Sequence, residues 1–261
     1  DGSLLVAEFD GRRIRKITFT GTISAANAVV TTLAGTGASG TGDGPLASGT
    51  FHSPLGVTTS GSGLVFVAEQ ANLIRLIDTN ERTSSHGYLT TLAATQTGGF
   101  HTNAAGYDAR FSLPYAMVRD SAGNLFVADA GNHQIRKITF TDGVVSPATA
   151  VVSDYSYFWY GGTGRNDGAV ATATFTTPGS LTIDGSDNLY VYESPATGYT
   201  GFRKITSAGM VSSIRDVAGV LTGANSRSGI AVTATTGNLF IPQGTSILKG
   251  VPVPTLTSPA S

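Results

Sequence analysis

The chain has 261 residues, 13% of them charged and 40% hydrophobic, with a formal net charge of −1 and no cysteine. That apolar content suits a buried core and excludes wholesale disorder, while so little positive charge leaves nothing to neutralise a phosphate backbone, so nucleic acid is not an expected partner. Lack of cysteine removes disulfides, thiolate metal sites and cysteine nucleophiles together, and no apolar run approaches the ~18 residues of a membrane helix, so no membrane insertion is expected.

A repeat is visible before any local structure is assigned. The segments Leu4-Leu5-Val6-Ala7-Glu8, Leu64-Val65-Phe66-Val67-Ala68-Glu69, Leu125-Phe126-Val127-Ala128-Asp129, Leu189-Tyr190-Val191-Tyr192-Glu193 and Leu239-Phe240-Ile241-Pro242-Gln243 begin 60, 61, 64 and 50 residues apart. In chain order, the first unit opens directly on this marker after Asp1-Gly2-Ser3. It continues with Ile14-Arg15-Lys16-Ile17, whose period of two predicts a strand, and with a further strand at Val29-Val30-Thr31-Thr32-Leu33. The second unit adds what the first lacks: Phe51-His52-Ser53-Pro54, a β-rich run through Gly56-Val57-Thr58, and the turn Ser60-Gly61-Ser62-Gly63 ahead of its marker. Ile74-Arg75-Leu76-Ile77 and Tyr88-Leu89-Thr90-Thr91-Leu92 follow.

The third unit repeats the order with Phe111-Ser112-Leu113-Pro114, Ala116-Met117-Val118, the turn Asp120 to Asn124, the marker and Ile135-Arg136-Lys137-Ile138. The fourth does so with Phe175-Thr176-Thr177-Pro178, Ser180-Leu181-Thr182, the turn Asp184 to Asn188, the marker and Phe202-Arg203-Lys204-Ile205. Gly and Asn in these turns tolerate the positive φ that tight hairpins require. The fifth unit lacks the Phe-x-x-Pro opening and places Pro242 in its marker. Four short strands per unit, the fourth outermost, with no helical period between them, predict an all-β fold: a β-propeller of tandem four-stranded blades over residues 1–250. Val251 to Ser261, spaced by prolines, is expected to be an exit strand or linker. The first blade is expected to be incomplete at its N-terminal side, with neighbouring domains or chains at both ends.

The succession Gly-x-x-Asp-Gly, Ala-x-Phe-x-x-Pro, Gly-Asn-Leu-Phe-Val-Ala-Asp and Asn-His-x-Ile-Arg-Lys-Ile resembles the NHL repeat, most closely from Phe111 to Thr139, where Asn132-His133-Gln134-Ile135 stands. The resemblance implies five or six blades. Propeller enzymes of similar fold hold a metal with His, Glu, Asp and Asn around the axis, whereas these inner strands are apolar or hydroxylic. The four histidines occupy non-equivalent repeat positions.

Three constellations stand out. Each marker ends in an acid followed by an arginine: Glu8 with Arg15, Glu69 with Arg75, Asp129 with Arg136, Glu193 with Arg203. A catalytic group is needed once and a staple in every blade, so repetition favours structural ion pairs, of the small worth that exposed pairs have. Asp43, Asp167 and Asn103 sit in matching loops, as turn formers or as oxygen donors for Ca2+. The stretch Asp154 to Gly162 carries Tyr155, Tyr157, Phe158, Trp159 and Tyr160, with alternation placing Tyr155, Tyr157 and Trp159 on one face, either as core or as a contact surface on the rim. Together these readings predict a non-catalytic secreted or cell-surface module binding protein or glycan, without a cofactor. A metal-assisted lyase or hydrolase and a structural subunit of an extracellular assembly are the alternatives.

Overall fold

The computed structural model describes residues 2–80, 87–94, 103–157, 164–193, 201–214, 229–233, 238–243 and 246–252. Within them the strands are β1 (Leu4–Glu8), β2 (Arg13–Phe19) and β3 (Ala28–Ala34), then β4 (Gly44–Pro45), β5 (Pro54–Thr59), β6 (Leu64–Glu69), β7 (Leu73–Asp78) and β8 (Tyr88–Ala93). Next come β9 (Ala104–Ala105), β10 (Pro114–Arg119), β11 (Leu125–Asp129), β12 (Gln134–Phe140) and β13 (Ala150–Asp154), then β14 (Gly168–Ala169), β15 (Pro178–Ile183), β16 (Leu189–Glu193), β17 (Phe202–Ile205) and β18 (Met210–Ser213). The last are β19 (Ala231–Val232), β20 (Asn238–Gln243) and β21 (Ser246–Pro252). They form five antiparallel sheets, ordered β1-β2-β3, β5-β6-β7-β8-β4, β10-β11-β12-β13-β9, β15-β16-β17-β18-β14 and β19-β20-β21. The inner strands β5, β10, β15 and β19 follow one another side by side, with β1 next to β5. The fold is a β-propeller.

One expectation changes. The fourth strand is not the outer edge: in each of the three middle sheets the two-residue strand that precedes the Phe-x-x-Pro motif pairs outside it, as Ala104 and Ala105 do with Val152 and Val151. An edge of exposed backbone groups is thereby covered. At the C-terminal side, β21 continues past residue 250 to Pro252, which pairs with Asn238.

The central strands of the middle sheets are buried because neighbouring sheets cover their faces. Phe66, Ile74 and Leu76 of the second sheet pack with Leu125, Val127 and Ile138 of the third, and Phe126, Ala128 and Ile135 of the third pack with Leu181, Val191 and Ile205 of the fourth. Around the axis the approach is close enough to fix residue type. A Cβ on Gly56 would lie 2.5 Å from the Tyr115 carbonyl oxygen, so only glycine lets β5 meet β10.

Polar bonds across the joints set the blades' mutual placement. After each of the first three markers the chain turns through a non-glycine residue at positive φ: Arg12, Asn72 and His133. Arg12 Nε donates to the His52 carbonyl at 3.3 Å, Asn72 Oδ1 accepts from the Leu113 N–H at 2.9 Å, and His133 Nδ1 accepts from the Thr177 N–H at 3.0 Å. At the opposite end of the strands, Ser121 of the third blade donates its N–H to Asp187 of the fourth.

Candidate functional site

The repeated acid and arginine meet in all four units that carry them. The contacts are 3.5 Å for Glu8 and Arg15, 2.6 Å for Glu69 and Arg75, 3.5 Å for Asp129 and Arg136, and 3.2 Å for Glu193 and Arg203. In the three middle blades both side chains are 0% exposed, so the premise of exposed pairs fails there; only Glu8 and Arg15 are open to water, at 40% and 28%. In the first sheet the marker strand β1 is the first strand in the order β1-β2-β3.

The same geometry explains the Phe-x-x-Pro opening. The phenylalanine ring lies against the guanidinium, at 5.6 Å for Phe51 and Arg75, 5.2 Å for Phe111 and Arg136, and 4.9 Å for Phe175 and Arg203. The residue before the phenylalanine offers its carbonyl to the arginine Nη1, from Thr50, Arg110 and Thr174. The residue after it donates its N–H to the acid, from His52, Ser112 and Thr176.

The loop oxygens finish this arrangement. Asp43 accepts from Arg75 Nη2 at 2.8 Å, Asp167 from Arg203 Nη2 at 2.8 Å, and Asn103 Oδ1 from Arg136 Nη2 at 2.9 Å. The loop oxygens thus bind the arginine of their own blade. Where the third blade has the neutral Asn103, Asp154 supplies the charge, 3.3 Å from Arg136 Nε. Burial pushes the carboxyls of Glu69 and Glu193 above the ordinary range and that of Asp129 up to about 6, against the pull of the arginines and N–H donors. Among the described residues no group of three or more His, Cys, Asp or Glu could hold a metal ion.

The aromatic segment divides. β13 ends at Asp154, and the N–H groups of Tyr155 and Ser156 both donate to the Ile135 carbonyl, which breaks the alternation. Tyr155 turns inward, its ring edge-on to Phe126 at 4.7 Å, while Tyr157 is 45% exposed. The expectation of one shared face for these two is therefore wrong. Phe158, Trp159 and Tyr160 lie outside the described residues, as do His86 and His101.

A concavity lies between the inner strands. It is a cavity of about 410 Å3 on the axis, walled by Gly56, Ala116, Ser180 and Ile230, with Phe9, Gln70 and Tyr115 also lining it. Among the described residues that line it there is no Asp, Glu, Lys, Arg or His. Beside it a groove of about 240 Å3 runs between the third and fourth blades, lined by Tyr115, Gly131, His133, Thr177 and Gly179. Tyr115 and Gly179 line both. Sequence reasoning placed Gly56, Ala116 and Ser180 on the inner strands but missed Tyr115 and Gln70. The available signal was position: Tyr115 follows the Phe-x-x-Pro motif, where the other blades carry Leu55 and Gly179.

Because His133 Nδ1 accepts a hydrogen bond, the neutral ring carries its proton on Nε2. Burial lowers the His133 pKa below the usual ~6.5. With the folded value below the unfolded one, the latch to Thr177 is fully present above pH ~6.5 and is lost as pH falls through the folded value. His133→Asn, which restores an acceptor of the kind that Asn72 provides one blade earlier, is expected to flatten the acid limb of the pH–stability curve. Denaturant unfolding at several pH values checks this; an H133N curve parallel to wild type would refute the latch. Asp129, raised toward 6, has the opposite sign in an overlapping window and is common to both proteins, so it cancels in the difference.

No protein-family model matches the chain, and no curated protein does. Solved structures do. A provisionally assigned gluconolactonase superposes with a TM-score of 0.54 at 11% identity, over 95% of this chain and 71% of that one. The extracellular domain of a provisionally assigned one-component system from Bacteroides thetaiotaomicron gives 0.52 at 13% identity, over 98% of this chain and 27% of that one. An auxiliary nutrient binding protein from the same organism gives 0.50 at 15% identity over 73% of this chain, which spans 42% of that protein's length. At such identities the likeness concerns the fold.

Proposed function

We propose that this protein is a non-catalytic binding propeller of the NHL type, acting outside the cytoplasm and taking its ligand at the axial cavity and its adjoining groove. The observation that carries the reading is the separation of charge from concavity. The acids and arginines of the middle blades are bound to one another inside the blades, and among the described residues the axial cavity is lined by side chains without formal charge. Acid–base or metal chemistry needs titratable groups gathered around the substrate; among the described lining residues only Tyr115 and, in the groove, His133 are titratable, and neither belongs to a cluster of acids or bases. A volume of about 410 Å3 lies within the ~300–1,000 Å3 of small-molecule sites. The low charge, lack of cysteine and richness in glycine support export. So does the presence of an extracellular domain and a nutrient-binding protein among the propellers of similar shape.

The experiment pairs metal analysis with turnover. Protein dialysed against EDTA is expected to retain no stoichiometric transition metal and to leave simple lactones unhydrolysed. Retained metal together with lactone hydrolysis would make the protein an enzyme. Protection from protease added to intact source cells would refute the extracytoplasmic placement.

A further inference from the structure

We infer that the ligand is a neutral oligosaccharide, with one sugar unit in the axial cavity and the next in the groove between the third and fourth blades, on either side of Tyr115. This deepens the binding reading above and rests on it.

The lining selects against charge first. A phosphate, carboxylate or ammonium entering the axial cavity would meet, among the described lining residues, no side chain of opposite charge, so the part of its hydration lost there would go uncompensated. What the walls offer is aromatic surface and neutral hydrogen-bonding groups. Phe9 and Tyr115 are the aromatic residues of the described lining, and aromatic rings suit the C–H faces of a pyranose. Gln70 is exposed and carries both a donor and an acceptor. Ser180 Oγ accepts the Ile230 N–H at 3.1 Å, and its hydroxyl is a neutral hydrogen-bonding group of the lining. In the groove the tautomer fixed by Thr177 leaves His133 with an Nε2–H to donate. Donors and acceptors are thus dispersed around two small compartments, as sugar hydroxyls demand, rather than aligned along an extended edge, as a peptide backbone demands. Because Tyr115 and Gly179 line both compartments, a ligand with two linked rings is favoured over a single one.

The test titrates the full chain, by calorimetry, with neutral gluco-, manno- and xylo-oligosaccharides, with oligosaccharides of uronic acids, and with neutral peptides. At least one neutral series is expected to bind, with disaccharides tighter than monosaccharides. Tyr115→Ala and Gln70→Ala should each weaken it about tenfold, whereas Tyr157→Ala on the rim should not. Gln70 is exposed, so its variant keeps the test valid even where Tyr115→Ala unfolds. Selective binding of uronic acids or of peptides would overturn the sugar assignment while leaving a binding module. Sugar binding abolished by Tyr157→Ala and untouched by Gln70→Ala would move the site to the rim. Absence of any ligand in all three sets would overturn the saccharide proposal, whereas lactone turnover with a retained metal would overturn the binding reading beneath it.

Discussion

Replacing Arg136 with alanine is expected to lower unfolding free energy by about 3–5 kcal/mol, the cost of leaving one member of a buried ion pair alone. Asp129 would remain 0% exposed, with only the Ser112 N–H and the Asn132 amide to satisfy it. The Arg110 carbonyl and Asn103 would lose their donor as well. The chain supplies its own control in Arg15, whose pair with Glu8 is half-open to water; Arg15→Ala should cost at most ~1 kcal/mol. Denaturant unfolding of the two variants side by side is the measurement, and equal losses would refute the role given to burial. Asp129→Asn combined with Arg136→Met should recover much of the loss, because no fully buried charge is then left unpaired, and Asp154, the other partner of Arg136, is 30% exposed to water.

Phe175→Ala is expected to cost a similar ~3–5 kcal/mol, the range for deleting a buried ring. Phe175 is 1% exposed in the core shared by the third and fourth blades, and its ring lies 4.9 Å from the Arg203 guanidinium. Two losses coincide: a cavity opens between blades, and the guanidinium loses the surface it lies on. Phe175→Leu separates them, since it refills most of the volume without restoring a ring face. Calorimetric unfolding should rank wild type above Phe175→Leu and Phe175→Leu above Phe175→Ala. A Phe175→Ala midpoint indistinguishable from wild type would show that the blades do not depend on this contact. Because Phe175 and Arg203 share one assembly, their substitutions should combine non-additively.

Together these residues give each middle blade a charged core of its own kind. Asp-Gly or Asn loop, Phe-x-x-Pro opening, marker acid and third-strand arginine are four stations, some thirty residues apart at the extremes, that close on one guanidinium. Such a core fixes strand order and orientation, since a shifted register would leave a buried charge unpaired.

The repeat, the marker strands, the turns and the pairing of acid with arginine were legible in the residues themselves. Period-two alternation and turn chemistry act between near neighbours, and repetition exposes any feature that every blade needs. What the sequence by itself could not determine is where those groups end in space. Arg75 and Asp43 are 32 positions apart, and whether their contact is buried depends on Phe51 and the blade packed beside it. The two-residue outer strands are too short to carry a periodic signal and exist because an existing edge accepts them. Tyr155 and Tyr157 part company because the chain breaks its alternation on the Ile135 carbonyl, a long-range partner that no local pattern names. Tyr115 became a candidate binding residue only when the ring of blades brought four inner strands around one axis. Local chemistry chooses the strands; the closing of the blades, driven by burial of faces that no single blade can cover, chooses the site.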